Sequence, residues 1–471
     1  MRKPLKGTIF SALILLSIIF LGTGCTKTPT AGEGITPPLV VTMNIISTLT
    51  QTSAISGGAV TNTNSGVVTA DGVCWSSSNQ TPDITDSKTS DSTATGKFTS
   101  LLTGLTSGTT YYLRAYATNA GGTGYGSVIT FKTNSTSAII NATVSTIAGN
   151  TAGSYGFQNG AGLSALFNGP QAISFNPIAG NLYISDTFNN LIRTMTTAGA
   201  VSSLTNPALG WVDGPLSSAL FYAPATVAFD AQGNAYVADL GNNIIRKITT
   251  AGVVSTLAGN GLNGYVDGPA LTAEFSSPSG IAVDSKGTVY VADRGNNIIR
   301  EVSPSGTVTS LAGLLAPVGA SQNNYPNYLD GTTSASAFNG PCAVAIDGLG
   351  NLYVADINNR AIRSIVVSTG VVTTIAGNPE QRNVVGAPVA LATDAANNLY
   401  IADESGRILE ITAAHTLYVL AGSLNTAGYV DGPGASALFN NPQGVAVDAQ
   451  GNVYATDFNN NVIRKITIKI Q

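Results

Sequence analysis

Residues 280–313 read GIAVDSKGTVYVADRGNNIIREVSPSGTVTSLAG. This stretch holds four short apolar runs separated by Gly, Ser, Asn and Asp. Short apolar runs that are bounded by turn residues predict β-strands joined by tight turns. We label the four predicted strands a to d in chain order. Strand b ends in Asp293, and strand c ends in Arg300.

The same unit recurs from residue 144 onward. The Asp that ends strand b returns at intervals of 47 to 63 residues, at Asp186, Asp239, Asp293, Asp356, Asp403 and Asp457. Six consecutive units of four short strands predict an all-β fold, a six-bladed β-propeller.

The order of the strands predicts how the ring closes. The repeat region opens with 144–149, which has the sequence of a strand d, and the chain ends after a strand c at 463–468. The last blade therefore lacks its own strand d. Pairing the first strand with the last blade leaves no open edge in the ring, and an open edge invites aggregation.

The pattern Tyr-Val-Ala-Asp, Asn-Asn, Ile-Arg at 290–300 resembles the NHL repeat family, and the resemblance covers residues 144–471. The main rival is the WD40 repeat, which would need Trp-Asp pairs, and none occurs in the chain. The resemblance implies a propeller with six blades, the same fold that the repeat count predicts.

The N-terminus resembles that of a bacterial lipoprotein. A basic start precedes an apolar run over 9–21, too short for a membrane span, and small residues precede Cys25. The resemblance implies cleavage before Cys25 and lipid on its thiol. Leu21 lies one position further from the cysteine than is usual, so a plain signal peptide stays an alternative. The resemblance also implies the outer membrane as the location, because Thr26 and not Asp follows the cysteine.

The segment from 40 to 133 predicts a separate β-domain. Strands are expected at 60–68, 72–75, 97–101 and 111–117, with Trp75 and Tyr111 or Tyr112 in the core. The run at 110–119 and its flanking glycines resemble a fibronectin type III domain, which implies a two-sheet sandwich acting as a spacer. The expected organisation is a signal peptide at 1–24, a tether at 25–39, the sandwich at 40–133, a linker at 134–143 and the propeller at 144–471.

An Arg follows the strand-b Asp by seven residues in five of the units. We expect ion pairs that knit the blades together, because a guanidinium grips a carboxylate with two bonds. The expected pairs are Asp186–Arg193, Asp239–Arg246, Asp293–Arg300, Asp356–Arg363 and Asp457–Arg464. Blade five departs from the pattern, with Glu410 at the Arg position and Ser405-Gly406 in place of Asn-Asn.

The loops from strand d to the next strand a predict a ring on one rim. Each, except the loop that leads into blade five, carries an aromatic residue, usually an Asp-Gly, and then a Phe that we expect to pack between blades. The ring residues are Phe157, Trp211, Tyr265, Tyr328, Tyr429, Asp213, Asp267, Asp330 and Asp431. Aromatic faces beside carboxylates suit glycan or peptide binding. The alternative is structural, with the aromatic residue capping its blade and the Asp capping a short helical turn.

No catalytic constellation is evident. The chain has one histidine, His415, so neither a His-rich zinc site nor a Ser–His pair is indicated. The glutamates Glu274, Glu301, Glu380, Glu404 and Glu410 show no paired arrangement. Calcium held by Asp or backbone oxygens in the central channel stays open. We otherwise expect no metal and no cofactor.

The favoured function is that of a membrane-anchored, non-catalytic binding lipoprotein for a glycan, peptide or protein in the bacterial cell envelope. A net charge of −4 and the lack of a basic stripe argue against nucleic acid as a partner. We expect a monomer. The alternatives are an envelope assembly scaffold and a lyase or lactonase-like propeller enzyme.

Overall fold

The computed structural model describes residues 35–43, 49, 53–91, 96–106, 108–133, 140–150, 154–314, 328–379 and 384–470. The predicted signal peptide and Cys25 lie outside these ranges. The described residues fall into two compact units. The first contains residues 35–43, 53–105 and 109–133, and the second contains almost entirely residues from 140 onward. Within these ranges, no helix is long and apolar enough to cross a membrane.

The first unit contains two antiparallel sheets, with strand orders β1-β2-β5 and β4-β3-β6-β7, and β8 also pairs with β6. Its strands are β1 Leu39–Thr42, β2 Ser53–Asn62, β3 Ala70–Ser76, β4 Ser87–Lys88, β5 Gly96–Thr103, β6 Thr110–Asn119, β7 Gly122–Tyr125 and β8 Ile129–Lys132. Strand β2 ends at Asn62, short of the expected 68, because Asn64 and Ser65 turn the chain with positive φ.

The sheets of the first unit bury alternate residues. Trp75 and Tyr111 are both buried, and the Tyr111 ring stacks on Phe131 with centroids 5.6 Å apart. Tyr112, the other expected core aromatic, is half-buried. Cys74 is fully buried beside Trp75, and burial raises the pKa of its thiol to about 11. It therefore behaves as a small core residue.

The second unit consists, within its described residues, of six antiparallel sheets, which are the blades of a β-propeller. Blade one holds β10 Gly160–Ala161, β11 Pro170–Asn176, β12 Asn181–Asp186, β13 Leu191–Thr196 and β14 Ala200–Ser203. Blade two holds β15 Gly214–Pro215, β16 Pro224–Phe229, β17 Ala235–Asp239, β18 Ile244–Ile248 and β19 Val253–Ala258. Blade three holds β20 Gly268–Pro269, β21 Pro278–Val283, β22 Val289–Asp293, β23 Ile298–Val302 and β24 Thr307–Ala312.

Blades four to six follow the same plan, except that blade five has four described strands. Blade four holds β25 Gly331–Thr332, β26 Pro341–Ile346, β27 Asn351–Asp356, β28 Ala361–Val366 and β29 Val371–Gly377. Blade five holds β30 Pro388–Thr393, β31 Leu399–Asp403, β32 Arg407–Ile411 and β33 Leu417–Gly422. Blade six holds β34 Gly432–Pro433, β35 Pro442–Val447, β36 Val453–Asp457, β37 Val462–Ile470 and β9 Ile140–Ala148.

Strand a is the innermost strand of each blade, and the short two-residue strand at the other edge belongs to the loop that leads into the blade. One-turn 3-10 helices occupy some of the connections: Gly162–Ser164, Thr187–Asn189, Leu240–Asn242, Arg294–Asn296, Ile357–Asn359 and Phe458–Asn460. We call the rim with the d–a and b–c connections the upper rim.

Hydroxyl groups on strand a donate hydrogen bonds to the inner strand of the next blade, as Ser279 Oγ does to the Cys342 carbonyl at 2.9 Å.

The ring closes as the strand order predicts. Strand β9 pairs antiparallel with β37, with Val144 opposite Ile466 and Ala148 opposite Ile463. The pairing is longer than expected. Strand β9 begins at Ile140, inside the expected linker, and Ile140 lies opposite Ile470 of β37. The first strand of the unit therefore completes the sixth blade.

The Phe that follows each d–a motif packs between two blades, as predicted. Phe275 lies in one cluster with Tyr236 and Ile245 of blade two and Val291 of blade three. The equivalent residues in the other blades that have the motif are also buried: Phe167, Phe221, Phe338 and Phe439. These aromatic side chains supply much of the apolar contact that holds neighbouring blades together.

The a–b turns are organised by an Asp at the end of strand a. Asp448 accepts hydrogen bonds from the backbone N–H groups of Gln450 and Asn452, from the Asn452 amide and from the Tyr454 hydroxyl. The turn is therefore closed by its own side chains. Equivalent carboxylates lie at Asp230, Asp284, Asp347 and Asp394.

Candidate functional site

The repeated Asp and Arg residues form buried ion pairs on the upper rim. In blade three, Arg300 Nη1 lies 2.9 Å from Asp293 Oδ2, and both side chains are fully buried. Arg300 also donates to the carbonyls of Glu274 and Val266. The same geometry joins Asp186–Arg193, Asp239–Arg246, Asp356–Arg363 and Asp457–Arg464.

Each of these pairs lies within one blade, which corrects the expectation that they connect neighbouring blades. The Asp ends strand b and the Arg lies on strand c of the same sheet, so the guanidinium faces the loop that leads into that blade. The pair therefore fixes the loop to its own sheet.

The Asn-Asn pair supplies the connection between blades. In blade two, Asn242 Nδ2 donates to Asp239 at 2.9 Å, within the blade. The next residue, Asn243, has a positive φ, and its Oδ1 accepts the backbone N–H of Ser277 in blade three at 2.9 Å. Equivalent bonds run from Ala223 to Asn190, from Gly340 to Asn297 and from Gly169 to Asn461.

The predicted aromatic–Asp ring is brought together on the upper rim, and its side chains make internal contacts. Trp211 Nε1 donates to Thr256 on strand d of its own blade at 2.8 Å, and Asp213 accepts from Arg246 at 2.6 Å. Tyr328 and Tyr429 make equivalent hydroxyl bonds, with Arg363 and Arg464 over their rings.

The other members of the ring follow the same plan. Asp267, Asp330 and Asp431 pair with the Arg of their blades. Phe157 lies 5.3 Å from the Arg193 guanidinium, with Asn159 in place of the Asp. Trp211 and Tyr265 keep 43% and 42% exposure, so their outer faces are open to solvent.

Blade five is built differently. Its b–c connection has three residues, 404–406, where the others have four, so Arg407 lies opposite Asp403 and pairs with it at 2.5 Å. The structural equivalent of Arg300 is therefore Leu409, which lies opposite Ile401. This corrects the expectation that Glu410 takes the Arg position, because counting seven residues from Asp403 misses the deletion.

The different surroundings shift the carboxyl groups in opposite directions. Burial raises the pKa of Asp239 to about 6, against hydrogen bonds from Asn242 and Tyr222 and the charge of Arg246. Burial also raises the pKa of Asp356 to about 6. In blade five, burial acts in the same direction on Asp403, but backbone N–H groups and Arg407 outweigh it and lower its pKa.

The inner strands surround a channel of about 500 Å³. Its wall is mostly Ala, Val, Ile, Ser and Thr. The polar and charged side chains concentrate where strands a begin and strands b end, at the upper mouth. They are Gln171, Arg294, Glu404 and Gln443.

These four residues occupy two equivalent positions of the repeat. Gln171 and Gln443 directly follow the Pro that starts strand a, and Arg294 and Glu404 directly follow the strand-b Asp. Gln443 Nε2 donates to Glu404 Oε2 at 3.1 Å. The exposed Arg294 guanidinium has no hydrogen-bond or ion-pair partner among the described residues.

A cleft of about 290 Å³ adjoins the mouth on the upper rim of blades five and six. Glu404 lines both the channel and the cleft, so the two spaces share one carboxylate. The remaining cleft residues are Ser405, Gly406, Asn425, Ala427, Phe439, Asn440 and Asn441. Together the mouth and the cleft are the candidate functional site.

The residues of the channel mouth were not predicted from the sequence, because the predictions were based on the positions that are the same in each repeat. The position after the strand-b Asp is occupied in blades one to six by Thr187, Leu240, Arg294, Ile357, Glu404 and Phe458. This variability beside an unchanging Asp is the signal that would have identified the mouth. Elsewhere in the described ranges, no group of three or more His, Cys, Asp or Glu side chains is placed to hold a metal.

Comparison with known proteins agrees with this fold. Residues 275–300 and 439–466 match the model of the NHL repeat. The chain therefore contains NHL repeats arranged as a β-propeller. The plant protein SUPPRESSOR OF QUENCHING 1 of Arabidopsis thaliana is 28% identical over 284 residues, which is 55% of this chain and 26% of that protein.

Two crystal structures are similar over most of the chain. An auxiliary nutrient binding protein from Bacteroides ovatus aligns with 92% of this chain and 100% of its own, at 16% identity and a TM-score of 0.52. Another from Bacteroides thetaiotaomicron aligns with 92% and 99%, at 15% identity and the same TM-score. At these identities the likeness shows the fold alone.

Proposed function

We propose that the chain is a non-catalytic binding protein of the bacterial cell envelope that takes an acidic saccharide at the upper mouth of its propeller channel. The observation that carries this proposal is the Arg294 guanidinium at the mouth, which has no partner among the described residues. The five repeated arginines, by contrast, are buried and bonded to carboxylates.

Charge complementarity defines the acidic part of the ligand. A guanidinium binds a carboxylate through two parallel hydrogen bonds, which gives both energy and orientation. Arg294 lies on blade three and Glu404 on blade five, so the guanidinium and the carboxylate are two separate contact points at the mouth.

The other groups at the mouth suit sugar hydroxyls. Glu404 accepts hydrogen bonds, and the amides of Gln171 and Gln443 both donate and accept. On the same rim, the exposed Phe188 ring meets Phe458 edge-on with centroids 5.6 Å apart, and offers an apolar face. A few convergent polar groups beside an apolar surface are typical of small-molecule sites.

Two further arguments support a role in binding. The Bacteroides proteins with the same fold are described as auxiliary nutrient binding proteins, and we extend that role to this chain. Lipid on Cys25 would hold the chain at the membrane, with the first unit as a fibronectin type III-like spacer. Display of a solute-binding propeller at the outer membrane fits that order of parts.

The test is calorimetric titration of the full chain with galacturonic acid, with galactose as the uncharged probe. Arg294→Gln and Glu404→Gln are compared with Lys286→Gln and Glu301→Gln, which remove charges elsewhere in blade three. We expect binding of galacturonic acid by the wild type and both controls, and at least about tenfold weaker binding by the two mouth variants, since a lost charged contact is worth more than about 1.4 kcal/mol.

Two results would overturn the proposal. One is the absence of galacturonic acid binding by the wild type. The other is equal affinity in Arg294→Gln and Lys286→Gln. Binding of short peptides with no saccharide binding would instead support peptide capture.

A scaffold function is the second candidate. The d–a loops of blades one to three expose Tyr155, Leu209 and Leu262 to 69%, 63% and 61%. Exposed apolar residues along one rim suit a protein partner. Replacing all three with Ser would abolish partner capture under this alternative and would leave saccharide binding intact under the proposal above.

A further inference from the structure

We propose that the cleft between blades five and six is a second subsite, so that the ligand is a linear acidic oligosaccharide whose next unit lies in the cleft. This inference rests on the proposed function of the mouth. It adds the length and direction of the ligand, from the channel axis outward along the upper rim.

The cleft exists because blade five lacks the repeated connection. In four other blades an Asn at the end of the b–c connection accepts a backbone N–H from the following blade, as Asn243 does from Ser277. In blade five the three-residue connection ends in Gly406, which has no side chain to reach blade six. The equivalent of Ser277 in blade six is Asn441, which lines the cleft.

Gly406 cannot be replaced without disturbing this geometry. Its φ of +106° is one that side chains rarely adopt, and an added Cβ would lie 2.8 Å from the Ser423 carbonyl oxygen. The open connection is therefore built into the backbone of blade five and does not result from a missing side chain alone.

The chemistry of the cleft suits the hydroxyl-bearing face of a sugar unit, with the carboxylate of that unit turned outward to solvent. It offers the Ser405 hydroxyl and the amides of Asn425, Asn440 and Asn441, with no cationic side chain among its described residues. These groups donate and accept hydrogen bonds, as ring hydroxyls do. Arg294, at the mouth, is the group that would hold the carboxylate of the first unit.

Glu404 connects the two spaces. Its Oε2 bonds to Gln443 at the mouth, and its side chain also borders the cleft. A carboxylate between two subsites can accept hydrogen bonds from the hydroxyls of both sugar units, next to the glycosidic linkage that joins them. With about 500 Å³, the channel has the volume of a ligand pocket, and the cleft, with about 290 Å³, lies at the lower end of that range and is large enough for part of a ligand that extends from the channel.

The test compares the affinities of galacturonic acid and its linear trimer, measured by calorimetry on the full chain. We expect the wild type to bind the trimer at least about tenfold more tightly than the monomer, a difference of about 1.4 kcal/mol. In Ala427→Trp, which fills the cleft from an exposed position, we expect this gain to be lost.

The chain supplies a matched control and a second variant. Ala427, Leu209 and Asn263 occupy the same bridge position in blades six, two and three. Asn263→Trp therefore places the same side chain at the same position of a blade without the cleft, and we expect it to keep the full gain. Ala427→Leu introduces the residue that blade two already holds there, and we expect a smaller gain than in the wild type without loss of folding.

The outcomes separate the two proposals. If the monomer does not bind, the proposed function of the mouth fails. If the monomer binds but the trimer binds no better, or if both Ala427 variants keep the gain while folded, the second subsite is overturned and the mouth is left standing.

Discussion

Blade three and blade five show two ways of using the same repeat. Blade three fixes its loop with a buried Arg300 that bonds two carboxylates and two carbonyls. Blade five has a shorter connection, an ion pair between Arg407 and Asp403 that is formed across the strand ends, and no side chain reaching blade six from Gly406. The regular blade is closed at the upper rim, and the irregular blade is open there.

We infer from this difference that the residues that stabilise the propeller are not the residues that we propose to bind the ligand. In the residues that repeat, the Nη groups of the arginines and the carboxylates bond to each other. The Nε groups that have no partner, in Arg193, Arg246, Arg300 and Arg363, are buried, so the repeated residues have little capacity left for a ligand from solvent. The residues that break the repeat, Arg294 and Glu404, lie at the channel mouth with free hydrogen-bonding capacity. We therefore expect changes to the two sets to have separable effects.

The largest expected effect is the loss of a repeated arginine. Arg300→Met removes the cationic partner of the buried Asp293 carboxylate, which keeps hydrogen bonds from the Ser276 N–H and the Asn296 amide. We expect this change to lower the free energy of unfolding by about 3–5 kcal/mol. Arg407→Met should cost less, about 1–3 kcal/mol, because three backbone N–H groups, of Gly386, Ala387 and Ser405, still bind Asp403, whereas one binds Asp293. Urea unfolding measures both, and equal losses would contradict the distinction between the blades.

The pH dependence of stability should differ in sign between blades two and five. Asp239 has a raised pKa, so its contribution is full below about 4 and is lost as the pH rises through about 6. The wild type should therefore lose roughly 1–3 kcal/mol relative to Asp239→Asn over that window. Asp403 has a lowered pKa, so its contribution is full above about 4 and is lost as the pH falls below that value.

Unfolding free energies of the wild type, Asp239→Asn and Asp403→Asn from pH 3 to 7 check this prediction. Parallel pH profiles for the two variants would show that the carboxyl groups of blades two and five have the same environment.

A smaller effect is expected from copying blade five into blade two. Asn243→Gly keeps the positive φ and removes the amide that accepts from Ser277, so we expect a loss of about 0.5–1.5 kcal/mol. Hydrogen exchange at the Ser277 amide should become faster. An unchanged exchange rate would mean that this bond does not hold blades two and three together.

The smallest expected effect on stability is that of the mouth residues. Arg294→Gln and Glu404→Gln should change the free energy of unfolding by no more than about 0.5 kcal/mol, because both side chains border an open space and neither belongs to a buried pair. Larger losses in urea unfolding would assign them a structural role.

Much of the propeller could be predicted from the sequence, since the strand-b Asp returns in all six units and the Phe and Arg return in five of them. The closing strand was predictable because 144–149 has the sequence of a strand d. The deletion in blade five was not, because only the pairing of Arg407 with Asp403 reveals that the register has shifted. The mouth was missed for a related reason, as Arg294 and Glu404 come together only when the ring is closed.

The aromatic ring was predicted as a group, but its contacts were not. The tight bond from Trp211 to Thr256 joins residues 45 positions apart, and nothing in the local pattern indicates it. The ligand-binding interpretation of the ring requires the exposed face of Trp211 to contact a ligand, and the structural interpretation does not.

The measurement that tests the central claim most directly is the affinity for galacturonic acid of two variants, Arg294→Gln and Trp211→Ala, with unfolding followed in the same samples. We predict that Arg294→Gln loses binding at unchanged stability, whereas Trp211→Ala loses stability and keeps binding. Loss of binding in Trp211→Ala at unchanged stability, with normal binding by Arg294→Gln, would place the site on the aromatic ring and contradict the account.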